Sequence, residues 1–235
     1  MGSVDREGPG KIIRGLEDLR GGIRLYLISV LILIVGSLFI LTVITAPLWI
    51  PGGPSRITKA DVMAILILAI LLVLAVSVIM IFGTIKLRDG MEVLARIYKD
   101  ADIGFLGARL ILYGIILVVA GILTLLIVIG AVLAVVGVLV MIVGNILFGL
   151  GIINLDKYTR EDLRTPGILY IIGVAAALVG GVLSELSLLG QAISLLGQAL
   201  ELAGLIVLYM RLGGWIEELK TSTPAGEAKP PTWGM

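Results

Sequence analysis

From Leu110 to Leu155 the chain carries no charged side chain; Arg109 precedes the stretch and Asp156 ends it. A helix crosses about 30 Å of hydrocarbon with roughly 20 residues. The stretch is too long for one such span and right for two, so it predicts a pair of transmembrane helices joined by a tight turn near Val128 to Ala131. Other apolar runs bring the predicted spans to six: Ile23 to Thr45, Val62 to Ile85, Ala108 to Leu125, Ala134 to Ile153, Ile168 to Leu183 and Gly190 to Met210. These runs are continuously apolar, whereas lipid-facing strands alternate, so the fold class is all-α, a polytopic helical membrane protein rather than a barrel.

Composition narrows the chemistry. Hydrophobic residues make up 59% and charged residues 15%, against about a quarter charged in soluble proteins. Cysteine and histidine are both absent, which excludes disulfides, thiol nucleophiles, zinc–thiolate clusters, histidine-ligated haem and a histidine general base. No GxxxxGK[ST], HExxH or GxSxG pattern occurs, nor paired acids inside a span. The expectation is a protein that is not an enzyme, with no cofactor, no metal and no catalytic residue. A net charge of +1 gives no global field for nucleic acid, so membrane lipids and other membrane proteins, or further copies of the chain, are the expected partners. The first twenty or so residues balance acids and bases before the first apolar run, which reads as a retained span and not a cleaved leader.

Sixteen of the 18 lysines and arginines fall on one side of the six spans; only Arg56 and Lys59 fall on the other. This positive-inside bias places both termini in the cytoplasm. The predicted organisation is a cytoplasmic segment over residues 1–22, hairpin one over 23–87 with a long outer loop at 46–60, and an inner amphipathic connection at 88–104. Hairpin two follows at 105–153, an inner connection at 154–166, hairpin three at 167–213, and a cytoplasmic segment with a disordered tail at 214–235. In the outer loop Pro47, Pro51 and Pro54 break helix and Trp49 suits the interface. GMEVLARIYKD, from Gly90 to Asp100, separates an apolar face (Met91, Leu94, Ala95, Tyr98) from a charged one, as expected of a short interfacial helix or an extension of span two.

An internal repeat supports three hairpins. GIRLYLISVLILIVG from Gly22, GARLILYGIILVVAG from Gly107 and GILYIIGVAAALVGG from Gly167 each open on glycine and carry another fourteen residues later, at Gly36, Gly121 and Gly181. Gly130, Gly137, Gly144 and Gly151 recur at intervals of seven, as do Gly190, Gly197 and Gly204. Seven residues are nearly two turns, so each set forms a shallow ridge along one helix side. Such ridges let a neighbouring backbone approach closely, and helix packing is the expected role.

One stretch lays polarity over its ridge. In SLLGQAISLLGQALELAGL, Ser187, Ser194 and Glu201 repeat at seven, and Ser194, Gly197, Gln198 and Glu201 share a face. Glu201 lies ten residues, about 15 Å, before Arg211 and therefore near mid-membrane. A carboxylate there must be neutral, hydrogen-bonded or in contact with water. Gln198 is the nearest donor on its own helix; Asn145 is the best partner from another helix, with Ser37, Ser77 and Tyr113 behind it. Three readings follow: a structural bond that selects helix packing, a coupled proton or cation site, or a surface segment over 187–200 with Glu201 opening a shorter span.

The segments LRGGIRLYLISVLI after GLEDL, LRDGMEVLARIYKDADIGFLGARLILYGIIL and LDKYTREDLRTPGILYIIG resemble the archaeal multi-span family catalogued as domain of unknown function 973, over roughly Ile12 to Leu219. The resemblance implies an archaeal plasma-membrane protein and transfers no activity, cofactor or catalytic residue. The leading expectation is a structural or accessory membrane protein in a homo-oligomer or larger membrane complex. The alternative is a small proton- or cation-coupled transporter or channel using Glu201 with Gln198, Ser194 and Asn145.

Overall fold

The structure is a computed structural model that describes residues 9–49, 59–124, 128–184 and 187–222. It is built of six long helices: α1 (Pro9–Trp49), α2 (Lys59–Ile97), α3 (Asp102–Leu123), α4 (Val128–Leu155), α5 (Arg164–Ser184) and α6 (Leu188–Ser222). Each has a stretch long and apolar enough to cross a membrane. Short 3-10 turns, Lys99–Ala101 and Asp156–Tyr158, precede α3 and follow α4.

Several helices run past their predicted spans. GLEDL lies inside α1 and GWIEEL inside α6, while GMEVLARI continues α2 to Ile97, so the amphipathic connection is an extension and not a separate helix. Residues 46–49 and 59–60 of the expected outer loop are helical; the rest of that loop, and most of the expected disordered tail, lie outside the described residues. Val128 to Ala131, expected as the turn of the second hairpin, is the first turn of α4, and α3 already closes at Thr124. Gly130 thus lies within the helix. It is buried because it faces α3, where a Cβ would lie 2.7 Å from the Gly121 carbonyl oxygen.

Consecutive helices pack along one another in antiparallel pairs, α1 on α2, α3 on α4 and α5 on α6. Glycine makes this approach possible. A Cβ on Gly114 would lie 2.7 Å from the Gly137 carbonyl oxygen, and one on Gly137 would lie 2.8 Å from the Gly114 oxygen. The same reciprocity joins Gly107 with Gly144 and Gly121 with Gly130. It recurs between α1 and α2, where Gly22 faces Gly83 and Gly15 faces Gly90. A Cα–H aimed at a facing carbonyl is worth about 0.5–1 kcal/mol, and several in register lock a pair without any side chain between the backbones. Ser29 continues the α1 series by seven; it is fully buried and turns its hydroxyl back onto the Tyr26 carbonyl at 2.7 Å.

In the third pair the register is displaced by one residue. Gly180, not Gly181, meets α6 at Ser194, and a Cβ on Gly181 would have nothing within 4 Å. Likewise Gly204 faces the Pro166 carbonyl and Tyr170, while Gly167 is turned to α4, 2.7 Å from Ile153 in the position a Cβ would take. α6 is continuous from Leu188, and Gly190 and Gly197 seat it on α5. The surface-segment reading of 187–200 is therefore replaced by a helix packed along its partner.

Contacts of α2 with α3, α4 with α5 and α6 with α1 close the three pairs into a ring. The N-terminal end of α1 and the C-terminal end of α6 meet at one end of it, where Lys220 donates to Glu17 at 2.8 Å; this end is called the base. The buried apolar side chains gather there: Leu16, Leu19, Met91, Leu94, Phe148, Ile152, Leu155, Leu163, Leu212 and Trp215 are all at most 2% exposed. Met91 of α2 reaches the point where Gly104 and Gly151 bring α3 and α4 together. Past Val76, Ile115 and Val174, toward the distal end, the buried positions among the described residues are glycines of the second and third pairs; in the first pair Gly36 is partly buried, facing the Leu72 side chain.

Candidate intramembrane polar site

Where the base core gives way to the distal half, four polar side chains from four helices converge. Glu201 of α6 is partly buried, its backbone held against α5 because Gly173 offers no side chain in between. That placement turns the carboxylate toward α1, and Tyr26 donates its hydroxyl to Glu201 Oε1 at 3.3 Å, long for an O–H···O bond. Asn145 of α4, 6% exposed, accepts from the Tyr170 hydroxyl of α5 at 2.8 Å. Tyr170 packs edge-on to Phe148 with ring centroids 5.9 Å apart. It also lies within electrostatic reach of both Tyr26 and Glu201.

The expected partners of Glu201 are thus rearranged. Asn145 is spoken for by Tyr170, and Tyr26 takes the place expected for it. Gln198 is exposed on α6, whereas Glu201 is partly buried. Ser194 lies on the α5 seam, its backbone against Gly180. Tyr113 is 48% exposed on α3, where Arg109 Nη2 donates to its hydroxyl at 3.3 Å. Ser77 bonds the Val73 carbonyl of its own helix at 2.7 Å, and the side chain of Ser37 is outside the described residues. Gly130, Gly137, Gly144, Gly151, Gly190, Gly197 and Gly204 all sit in close backbone contacts. The residues missed were Tyr26 and Tyr170, and a signal existed: all three repeat segments carry a tyrosine shortly after the opening glycine, in GIRLY, GARLILY and GILY.

The base is tied by polar contacts between connections. Tyr98, at the end of α2, stacks on Tyr158 at 4.2 Å and lies 6.4 Å from Trp215 of α6. Asp100 accepts from Lys157 at 3.1 Å and Tyr158 at 2.9 Å. Arg211 of α6 pairs with Glu161 at 3.0 Å and Arg160 with Glu218 of α6 at 3.4 Å; exposed pairs of this kind contribute little each.

The start of α5 is capped by acids. Asp156 accepts from the Leu163 and Arg164 amides at 2.8 and 3.1 Å, and Asp162 from the Thr165 amide at 3.0 Å. The backbone N–H of Thr165, helped by its side chain, holds the Asp162 carboxyl below the usual carboxylate range. A folded-state pKa below the unfolded one adds stability that is present above the unfolded pKa and lost as pH falls through the folded one. Asp162→Asn is therefore expected to flatten the acid limb of the stability–pH curve between the ordinary aspartate pKa and the values below it, measured by thermal unfolding in detergent across that range.

Among the described residues no group of three or more acids, histidines or cysteines is placed to hold a metal ion. Six apolar helices, packed through glycine and carrying a carboxylate contact between the first and last of them within the spans, define a polytopic helical membrane protein. The family model described as Protein of unknown function (DUF973) matches residues 12–232, and the chain belongs to that family. No curated protein and no solved structure matches it.

Proposed function

We propose that the protein is a structural or accessory component of the membrane, acting within a homo-oligomer or a larger membrane complex and without enzymatic activity. The observation that carries this reading is the commitment of Glu201 to Tyr26 across the seam between the first and last helices. The carboxylate contributes to closing the ring of helices and sits on a glycine packing ridge. Assembly with further copies or other spans is supported by Gln191 and Gln198, exposed amides on α6 whose hydrogen bonds a neighbouring helix satisfies better than hydrocarbon does. The placement of basic residues supports cytoplasmic termini, and the family resemblance supports an archaeal plasma membrane as the location.

The test separates this role from coupled transport. Glu201→Gln keeps an oxygen for the Tyr26 hydroxyl and is expected to preserve stability, whereas Glu201→Leu loses the bond at a cost of about 1 kcal/mol, the usual range for polar contacts between membrane helices. Proteoliposomes carrying the wild type are expected to leak protons and monovalent cations no faster than protein-free vesicles. A flux present in the wild type and abolished by Glu201→Gln would overturn the structural reading in favour of a coupled site.

A further inference from the structure

On the outer side of the seam between α1 and α6, at the base end of the spans, a groove of about 280 Å³ is lined by Arg24, Leu27, Ile28, Leu31 and Tyr209. Its floor is apolar and its mouth is a guanidinium. Arg24 is exposed, and among the described residues it has no ion pair or hydrogen bond. One turn toward the base, the Arg20 guanidinium lies 4.4 Å from the centroid of the Tyr209 ring, the same ring that lines the groove. Arg20 Nε is buried without a hydrogen-bond partner. Gly213 makes room for it, since a Cβ there would lie 3.0 Å from Arg20 Nη2.

Two arginines one turn apart, with the nearby acids Glu17 and Asp18 turned to Lys220 and Lys86, leave uncompensated positive charge where span one enters the membrane. From Arg24 the apolar lining climbs to Leu31, about 10 Å along the helix. This combination, cation at headgroup depth and apolar slot rising from it, complements an amphiphile with an anionic head and a hydrocarbon tail. Basic pockets between helices near the membrane surface recognise lipid phosphates on this principle. We propose that the groove binds an anionic phospholipid of the leaflet on the base side, its phosphodiester on Arg24 with Arg20 reinforcing the field, and one chain along Leu27, Leu31 and Tyr209. The site is separate from the Glu201 contact and does not depend on the structural role proposed above.

The test is lipid retention by the full chain in native mass spectrometry from detergent, with phosphatidylglycerol and phosphatidylcholine of identical chains added in equal amounts. The wild type is expected to retain phosphatidylglycerol preferentially, and Arg24→Gln, at an exposed position, to weaken that retention about fivefold. Arg24→Lys should keep most of the preference, and Leu31→Trp, which fills the slot but leaves the charge, should reduce retention of phosphatidylglycerol. Equal retention of the two lipids by the wild type, or a preference that survives Arg24→Gln, overturns the proposal. So does a full substitute effect of inorganic phosphate alone, displacing phosphatidylglycerol in an Arg24-dependent way, because the ligand is then a free anion. Retention unchanged in Leu31→Trp overturns the role of the groove.

Discussion

Gly137→Leu is expected to leave little folded protein. The new Cβ would stand 2.8 Å from both the Gly114 carbonyl oxygen and the Val118 nitrogen. Those are main-chain atoms in the middle of a neighbouring helix, so relief requires α3 and α4 to separate along their length, breaking the contacts at Gly107–Gly144 and Gly121–Gly130 with it. Overpacking usually costs about 1–3 kcal/mol where side chains can shift; here nothing local yields, and a loss of at least about 3 kcal/mol is expected. Gly181→Ala is the matched control, because a Cβ there meets nothing. Alanine should stabilise α5 by roughly 0.5–1 kcal/mol through its better helix propensity. Denaturation by sodium dodecyl sulfate, followed by circular dichroism in mixed micelles, reads both. A Gly137→Leu protein as stable as the wild type would refute the backbone contacts.

The second large effect is expected at the base. Trp215 is 2% exposed and among the largest fully buried side chains, placed beside Tyr98, which in turn stacks on Tyr158. Through this cluster α6 meets the end of α2 and the turn after α4. Trp215→Ala removes the widest apolar surface joining these three segments, and truncations of this kind cost about 3–5 kcal/mol in well-packed cores. A double-mutant cycle with Tyr98→Ala should show non-additivity, since the two rings share one contact region. Additive losses would mean that Trp215 stabilises α6 alone.

The number and position of the spans were legible because hydropathy over twenty residues is a strong, local signal. Glycine spacing in α4 and α6 was legible for the same reason, as was the placement of that ridge in a packing seam. What faced the ridges was harder to read. Gly15, Gly22, Ser29 and Gly36 also step by seven, yet the first of them lie in a charged segment that reads as a cytoplasmic extension, not as helix in a pair. The one-residue offset in the third pair is invisible to a repeat argument, which aligned Gly181 with Gly121 although Gly180 holds the seam. The Glu201–Tyr26 contact joins residues far apart in sequence and depends on how the last helix closes onto the first. A tyrosine near a span end carries an ordinary interfacial explanation, and only the closed ring turns Tyr26 inward.

The gathering of buried side chains at the base has a consequence for how the molecule occupies its bilayer. At the base and into the adjoining leaflet its six helices pack side by side as one body. In the opposite leaflet it presents three slim helix pairs, the second and third sealed internally by glycine and all of them bare outside, with Leu31, Leu38, Phe39, Leu71, Val135, Leu139, Leu188 and Leu195 outward. The two leaflets therefore meet cross-sections of different outline from the same six helices. Whatever fills the gaps between the pairs, acyl chains or the spans of a neighbour, comes from outside the chain and so belongs to the environment's contribution to its stability.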